Sequence, residues 1–286
     1  MHPVLHTFDF GDGQLVVRAY ATCLAAAVLA VLLLGGLTAV RRGLPVRAVV
    51  TVLGLTAVAG LLGARLFHAV LHADVYRQSP ERLIAPQPHS FAFDGGLIVA
   101  IATGWAACRL LRISPWRLAD ALTPALALGV AVMRLGCFLQ GCCFGRETSL
   151  PWGVVFPWGS LPHLHQMTHR FDAILGGPSA VHPTQLYEMA AALSVAVLAV
   201  WLLHRRLPEG MVALPCALAF LIFRGVASAQ RAVAGSPFNT IALSVLIALL
   251  MIFRFRSRRG FSENKQSRAA VDSVVAHVGT VAECIR

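Results

Sequence analysis

The chain has 286 residues, 57% of them hydrophobic and only 13% charged, where an ordinary soluble domain carries about 25% charged residues. Its mean hydropathy is +0.70, which excludes a disordered segment, a fibrous or collagenous repeat and a small disulfide scaffold. Lys+Arg number 24 against 13 for Asp+Glu, a net charge of +11, yet the arginines are spread between apolar runs and line no single polar face, which argues against nucleic acid as a partner.

Seven apolar runs follow in chain order, at 15–40, 48–72, 94–111, 119–140, 183–203, 210–232 and 238–255. Each has 18 residues or more, close to the ~20 that cross ~30 Å of hydrocarbon as a helix. A spanning β-barrel would instead alternate apolar and polar residues, with turn signals about every ten residues. The pattern predicts an all-α integral membrane fold of about seven transmembrane helices. The first run does not read as a cleaved signal peptide, because residues 1–15 lack lysine and arginine and the run is too long for an h-region.

Arginine distribution sets the orientation. Arg41, Arg42 and Arg47 follow the first run, Arg109, Arg112 and Arg117 the third, and Arg205 and Arg206 the fifth. Arg254, Arg256, Arg258, Arg259, Lys265, Arg268 and Arg286 follow the seventh, so fifteen of the 24 cations fall on one side. The positive-inside rule makes that side cytoplasmic. The N-terminus and the loops 73–93, 141–182 and around Arg231 then face outward, and the C-terminus is cytoplasmic. Residues 1–256 read as one polytopic membrane domain, and 257–286 as a basic, poorly ordered cytoplasmic tail. The outward loop 141–182 is rich in Gly, Pro, Trp and His, which suits a substrate-facing segment.

Among the remaining cations, Arg65, Arg134 and Arg224 lie within or at the outer ends of apolar runs. An arginine at that depth costs several kcal/mol and commonly faces a partner, a cavity or a pathway; the alternative for any one of them is snorkelling to a headgroup. Three on the outward side of different runs point to an anion-binding cavity. Arg224 and Arg231, seven residues or two helical turns apart, share a face.

The densest segment is Met133–Gly145, MRLGCFLQGCCFG. Gly136, Gly141 and Gly145 allow close backbone approach, and backbone N–H groups beside Arg134 suit a phosphodiester. Tight helix packing through small residues is the competing explanation. Cys137, Cys142 and Cys143 admit three readings: a metal site, for which C-x4-C-C is a weak signal, a disulfide from Cys137 to either neighbour, or plain packing. The seven cysteines are otherwise scattered and odd in number, so no disulfide framework is expected. Asp94, before Gly95 and Gly96, reads as a helix N-cap or as a proton acceptor. His182–Glu188, HPTQLYE, opens the fifth run: Pro183 and Thr184 are helix-start signals, Glu188 suits the positive end of the helix, and His182 and Gln185 offer hydrogen bonds to a headgroup.

Over roughly residues 5–255 the chain resembles the bacterial prolipoprotein diacylglyceryl transferases. The resemblance rests on Tyr20, on Arg65 in GLLGARLF, on DGGL at 94–97, on Asp120 ahead of TPALALG, on the Arg134–Gly145 segment, on HPTQLYE (the family form is HPSQLYE), and on Arg224 with Arg231. It implies an enzyme of the bacterial cytoplasmic (inner) membrane, acting at the outer face, that moves the diacylglyceryl group of phosphatidylglycerol onto the lipobox cysteine of a preprolipoprotein. Neither a metal nor any other cofactor is implied. Arg134 would hold the phosphate and Arg224 would support catalysis near the leaving group, with Tyr20 lining the site and Asp94 as the base. Gly136, Cys137, Gln140, Gly145, His182, Gln185 and Arg231 complete the substrate-binding set.

Some positions depart from the family pattern. Asp94 stands where typical members have histidine, Cys137 where they have asparagine and Cys142 where they have glutamate; Phe220 replaces a tyrosine and Ser228 a glutamate. Two other readings therefore stand beside the first. One is a paralogue of the same fold passing an anionic lipid to another acceptor, and the other is a non-catalytic lipid-binding or transport protein.

Overall fold

The computed structural model describes residues 4–10, 13–79, 81, 92–170, 175–205, 207–232 and 243–252. Helix dominates, as the apolar runs predict, with a difference at the start of the chain. Strands β1 (Val4–Phe10) and β2 (Gly13–Arg18) pair antiparallel, from Val4 opposite Arg18 to Phe10 opposite Gly13. Leu15, Val16 and Val17 open the first apolar run but lie in β2, because β-branched residues favour extended backbone and a complementary strand lies just upstream. The all-α expectation is corrected to a helical fold with one hairpin among the described residues, in which the first helix starts at Ala19.

That helix, α1 (Ala19–Arg41), is followed by α2 (Val46–Leu71), the short α3 (Ala73–Gln78), α4 (Phe93–Leu110) and α5 (Pro115–Gln140). Then come α6 (Leu161–His169), α7 (Thr184–Leu203), α8 (Ala213–Ala229) and α9 (Leu243–Ile252). By length and composition α1, α2, α5 and α7 can cross a membrane, and Gly95–Leu110, α8 and α9 are shorter apolar helices. Leu33, Val58, Leu61, Val70 and Val197 stand exposed on these helices, an apolar surface of the kind that lipid solvates and water does not.

Small residues set the helix crossings. Gly129 and Gly136, two turns apart on α5, lie against α1: a Cβ on Gly129 would stand 3.0 Å from Val31 Cγ2, and one on Gly136 would stand 2.7 Å from Cys23 Cβ. Between α2 and α4 the approach is closer still, since a Cβ on Gly95 would fall 2.1 Å from Phe67 Cβ and one on Gly96 2.9 Å from the Gly60 carbonyl oxygen. The two glycines after Asp94 therefore serve packing. Helix α4 begins at Phe93 with Ala92 as its N-cap, so Asp94 sits inside the first turn and is not the cap; its side chain lies outside the described residues.

The most buried of the long apolar helices is α5. Ser114 caps it, accepting from the Arg117 N–H at 3.3 Å, with Pro115 in the first turn. Buried Asp120 accepts from the backbone N–H groups of Gly210, Val212 and Ala213 at 2.7, 3.1 and 2.8 Å, which pins the start of α8. At this end Arg42 donates to the Leu203 carbonyl at 3.1 Å, Arg117 donates to the Arg42 carbonyl, and Ser114 donates to Glu209. The loops after α1, α4 and α7 are thereby tied together. The opposite ends of α5, α7 and α8, with the start of α1, build the site. The tail at 257–286 lies outside the described residues.

Candidate functional site

Gly141 adopts φ +76°, a left-handed conformation that ends α5 and turns the chain back on itself. The Cys142 N–H then donates to the Cys137 carbonyl at 3.1 Å, and Cys143 takes φ +60°. The motif that opens α7 holds this turn. Thr184 Oγ1 donates to the Cys143 carbonyl at 2.6 Å, and Gln185 Nε2 donates to the Cys142 carbonyl at 2.7 Å. Two turns of chain, paired across 41 and 43 residues, are thus locked by side-chain-to-backbone bonds, which satisfies carbonyls that the turn leaves orphaned.

Gly145 continues the lock. Its N–H donates to the His182 carbonyl at 2.9 Å, the His182 N–H donates to the Arg146 carbonyl at 3.0 Å, and the Arg146 N–H donates to the Gln230 carbonyl at 2.7 Å. A Cβ on Gly145 would stand 2.5 Å from His182 Cβ and 2.7 and 2.8 Å from the carbonyl oxygens of His182 and Gln230. Only glycine fits between those strands of chain. The His182 ring reaches Tyr187, with Nδ1 and the hydroxyl 3.1 Å apart, and Trp152 Nε1 donates to the same hydroxyl at 2.9 Å.

The result is a convergence of three arginines on one carboxylate. Glu188, in the second turn of α7, has a side chain that is 0% exposed. Its Oε2 lies 2.7 Å from Arg134 Nε and 3.1 Å from Arg224 Nη1, and its Oε1 accepts from Arg231 Nη2. Arg134 comes from the last turns of α5 and Arg224 from the last turns of α8. Arg231 follows the end of α8, so it reaches the shared carboxylate from the turn beyond the helix. Three guanidiniums against one carboxylate leave a surplus of two positive charges in a site mostly withdrawn from solvent. Arg224 keeps 32% of its side chain exposed and gives the cluster an accessible edge.

The other predicted residues surround this cluster. Gly136 seats the backbone of Tyr20, whose Cα would be 3.3 Å from a Cβ there, and Tyr20 lies within electrostatic reach of Arg134 and of Cys137, Cys142 and Cys143. Arg134 Nη1 approaches Cys137 Sγ at 3.9 Å. Gln140 and Gln185 each bury an amide oxygen with no hydrogen-bond partner among the described residues. Cys137, Cys142 and Cys143 are free thiols, so the disulfide reading does not hold. Hydrogen bonds from the Cys137 and Cys142 thiols, with the Arg134 and Arg231 guanidiniums nearby, hold the Cys143 thiol well below the ordinary thiol range.

Glu188 is the residue that sequence reading missed as a site member. It was legible as a carboxylate near a helix N-terminus; the missed signal was an acid facing two arginines that also sit deep in apolar runs.

Fold and site together define a helical membrane protein with a largely buried cluster of three arginines around one carboxylate. The chain belongs to the prolipoprotein diacylglyceryl transferase family, whose profile matches residues 7–257. It is 34% identical over 208 residues to phosphatidylglycerol–prolipoprotein diacylglyceryl transferase 2 of Streptomyces coelicolor, covering 69% of this chain and 60% of that protein. Over 200 residues it is 30% identical to the Synechococcus elongatus phosphatidylglycerol–prolipoprotein diacylglyceryl transferase, covering 68% of this chain and 66% of that one. The matched region thus spans slightly less than two thirds of each of these relatives. The Mycobacterium leprae protein of the same name is 35% identical over 187 residues, covering 62% of this chain and 56% of that protein.

Proposed function

We propose that the protein transfers the diacylglyceryl group of phosphatidylglycerol to the lipobox cysteine thiol of a preprolipoprotein and releases glycerol phosphate. The observation that carries this reading is the surplus of two positive charges where Arg134, Arg224 and Arg231 meet Glu188. The phosphodiester donor carries one negative charge and the departing phosphate monoester carries two. Complementarity to the cradle therefore grows along the reaction, which is the condition for lowering a barrier and not merely tightening binding. The names of the Streptomyces and Synechococcus relatives state the same donor and acceptor and support the assignment.

In this reading the acceptor sulfur bonds to the glycerol carbon as that carbon's bond to the phosphate oxygen breaks. The bonding pair leaves on the phosphate, and the thiol proton passes to a base, for which Asp94 in the first turn of α4 is our candidate. Arg134 holds the phosphate, Arg224 meets the charge on the leaving oxygen from the exposed edge, and Arg231 completes the cradle. Tyr20 positions the donor. The unpartnered amide oxygens of Gln140 and Gln185 suit the hydroxyls of a glycerol headgroup. Gly136, Cys137, Gly145 and His182 line the path around the headgroup. This chemistry calls for no nucleotide, no metal and no nucleic acid partner.

The topology that goes with it has seven spans, an outward N-terminus and the site toward the outer leaflet of a bacterial cytoplasmic membrane. The tied, arginine-rich loops then face the cytoplasm, as does a basic tail at 257–286 beyond the membrane domain at 1–256. The deciding experiment is transfer from labelled phosphatidylglycerol to a lipobox peptide by purified protein in detergent. Glycerol phosphate release coupled to peptide lipidation, lost in Arg134→Ala, is expected; a folded protein that binds the lipid without turnover would replace this reading with a binding role or another acceptor.

A further inference from the structure

We propose that Cys137, Cys142 and Cys143 form a three-thiolate site for a thiophilic d10 cation of the zinc type. Their Sγ atoms all lie within 4.8 Å of one another. Sulfurs sharing a zinc at about 2.3 Å stand roughly 4 Å apart, so ligation asks for side-chain shifts of under about 1 Å. A C-x4-C-C spacing in an extended chain does not bring three sulfurs together. Here the left-handed Gly141 folds the loop back over the last turn of α5, so Cys142 and Cys143 return to Cys137. Thr184 and Gln185 then hold the two loop carbonyls from α7. The donor set is preorganised by backbone bonds that do not involve the thiols.

Plain packing does not account for this arrangement. Cys137 is buried, Cys142 half-buried and Cys143 exposed, a gradient that gives an ion an entry path and leaves a fourth position open. Thiolates select zinc and copper(I) over oxygen-seeking cations. A divalent ion on three thiolates is a net anion, and the arginine cluster supplies the opposite charge from 3.9 Å away, at Arg134 Nη1 against Cys137 Sγ.

The test is a zinc titration of the full chain in detergent, reduced and stripped by a chelator, with zinc as the sole added ligand. One zinc per chain is expected. Zinc should also slow N-ethylmaleimide modification of Cys142 and Cys143 by at least about tenfold, with Cys23 unchanged as the internal control. Cys142→Ser and Cys143→Ser should each weaken retention at least about tenfold. Absence of stoichiometric zinc, or equal retention by the Cys142→Ser, Cys143→Ser protein, overturns the site. Should the variants fail to fold, the protection pattern on the unaltered chain decides alone.

Discussion

Arg134 and Glu188 meet at 2.7 Å between α5 and α7, with 7% and 0% of their side chains exposed. A carboxylate that deep is stable as an anion only with partners, and it has three. Conversely, without Glu188 three guanidiniums would face one another across the site. The acid is therefore the counterion that lets the three guanidiniums converge, and it leaves them with a residual charge of two.

Glu188→Ala removes that counterion. Breaking a buried ion pair from one side costs about 3–5 kcal/mol, so the variant should unfold at markedly lower temperature or denaturant in detergent. Glu188→Gln keeps the shape and one acceptor oxygen, although its amide N–H groups cannot accept from a guanidinium, and it should lose less than the alanine variant. Equal stability of both variants with the parent protein, read by thermal unfolding, would remove the counterion role.

Arg134→Lys tests whether the cradle needs a fork or only a charge. A lysine keeps the positive charge but presents one compact ammonium, and it cannot reach Glu188 and a phosphate with separate donors in one plane. Transfer should fall by on the order of 100-fold or more, the usual effect of losing one preorganised donor, while the protein remains folded. Activity within a fewfold of the parent would assign Arg134 to charge alone.

Much of this was legible in the sequence. The apolar runs place the helices, and the depth of Arg134 and Arg224 marks the cradle. What the sequence withheld depends on tertiary partners. Glu188 reads as a helix-end complement because its partners Arg224 and Arg231 lie 36 and 43 residues away. The glycines after Asp94 read as a cap signal because nothing local reveals Phe67 and Gly60 pressed against them. The β2 strand is short, and Leu15, Val16 and Val17 are as apolar as the helix they precede, so period alone does not separate them. The cysteines lacked the backbone reversal at Gly141 that gathers them.

Gly145→Ala tests the lock between the α5 loop and the motif that opens α7. The added Cβ would press on two carbonyl oxygens at 2.7 and 2.8 Å, and neither is the free end of a flexible side chain. Overpacking of this kind costs about 1–3 kcal/mol. The expected phenotype is reduced stability together with reduced transfer, because the same strain shifts the Cys142 and Cys143 carbonyls that Gln185 and Thr184 hold. Thermal unfolding and the transfer assay on one preparation check both.

The Cys143 thiol gives a pH signature that an ordinary cysteine lacks. Hydrogen bonds from Cys137 and Cys142, and the nearby charges of Arg134 and Arg231, hold it well below the ordinary thiol range. A group with a lowered pKa stays deprotonated as pH falls, so the reactive thiolate persists in mild acid. An unperturbed thiol, near pKa ~8.5, loses about tenfold in alkylation rate for each unit below that value. Iodoacetamide labelling of the chelator-treated protein, mapped by mass spectrometry, should thus vary little at Cys143 between about pH 6 and 8. Over the same range a free thiol such as N-acetylcysteine, labelled in parallel, should slow steeply as pH drops. In Arg231→Gln the Cys143 rate should regain part of that slope, because one of the charges favouring the thiolate is gone. A Cys143 rate that falls in parallel with that free thiol in the parent protein would mean that the arginines and neighbouring thiols do not stabilise its thiolate.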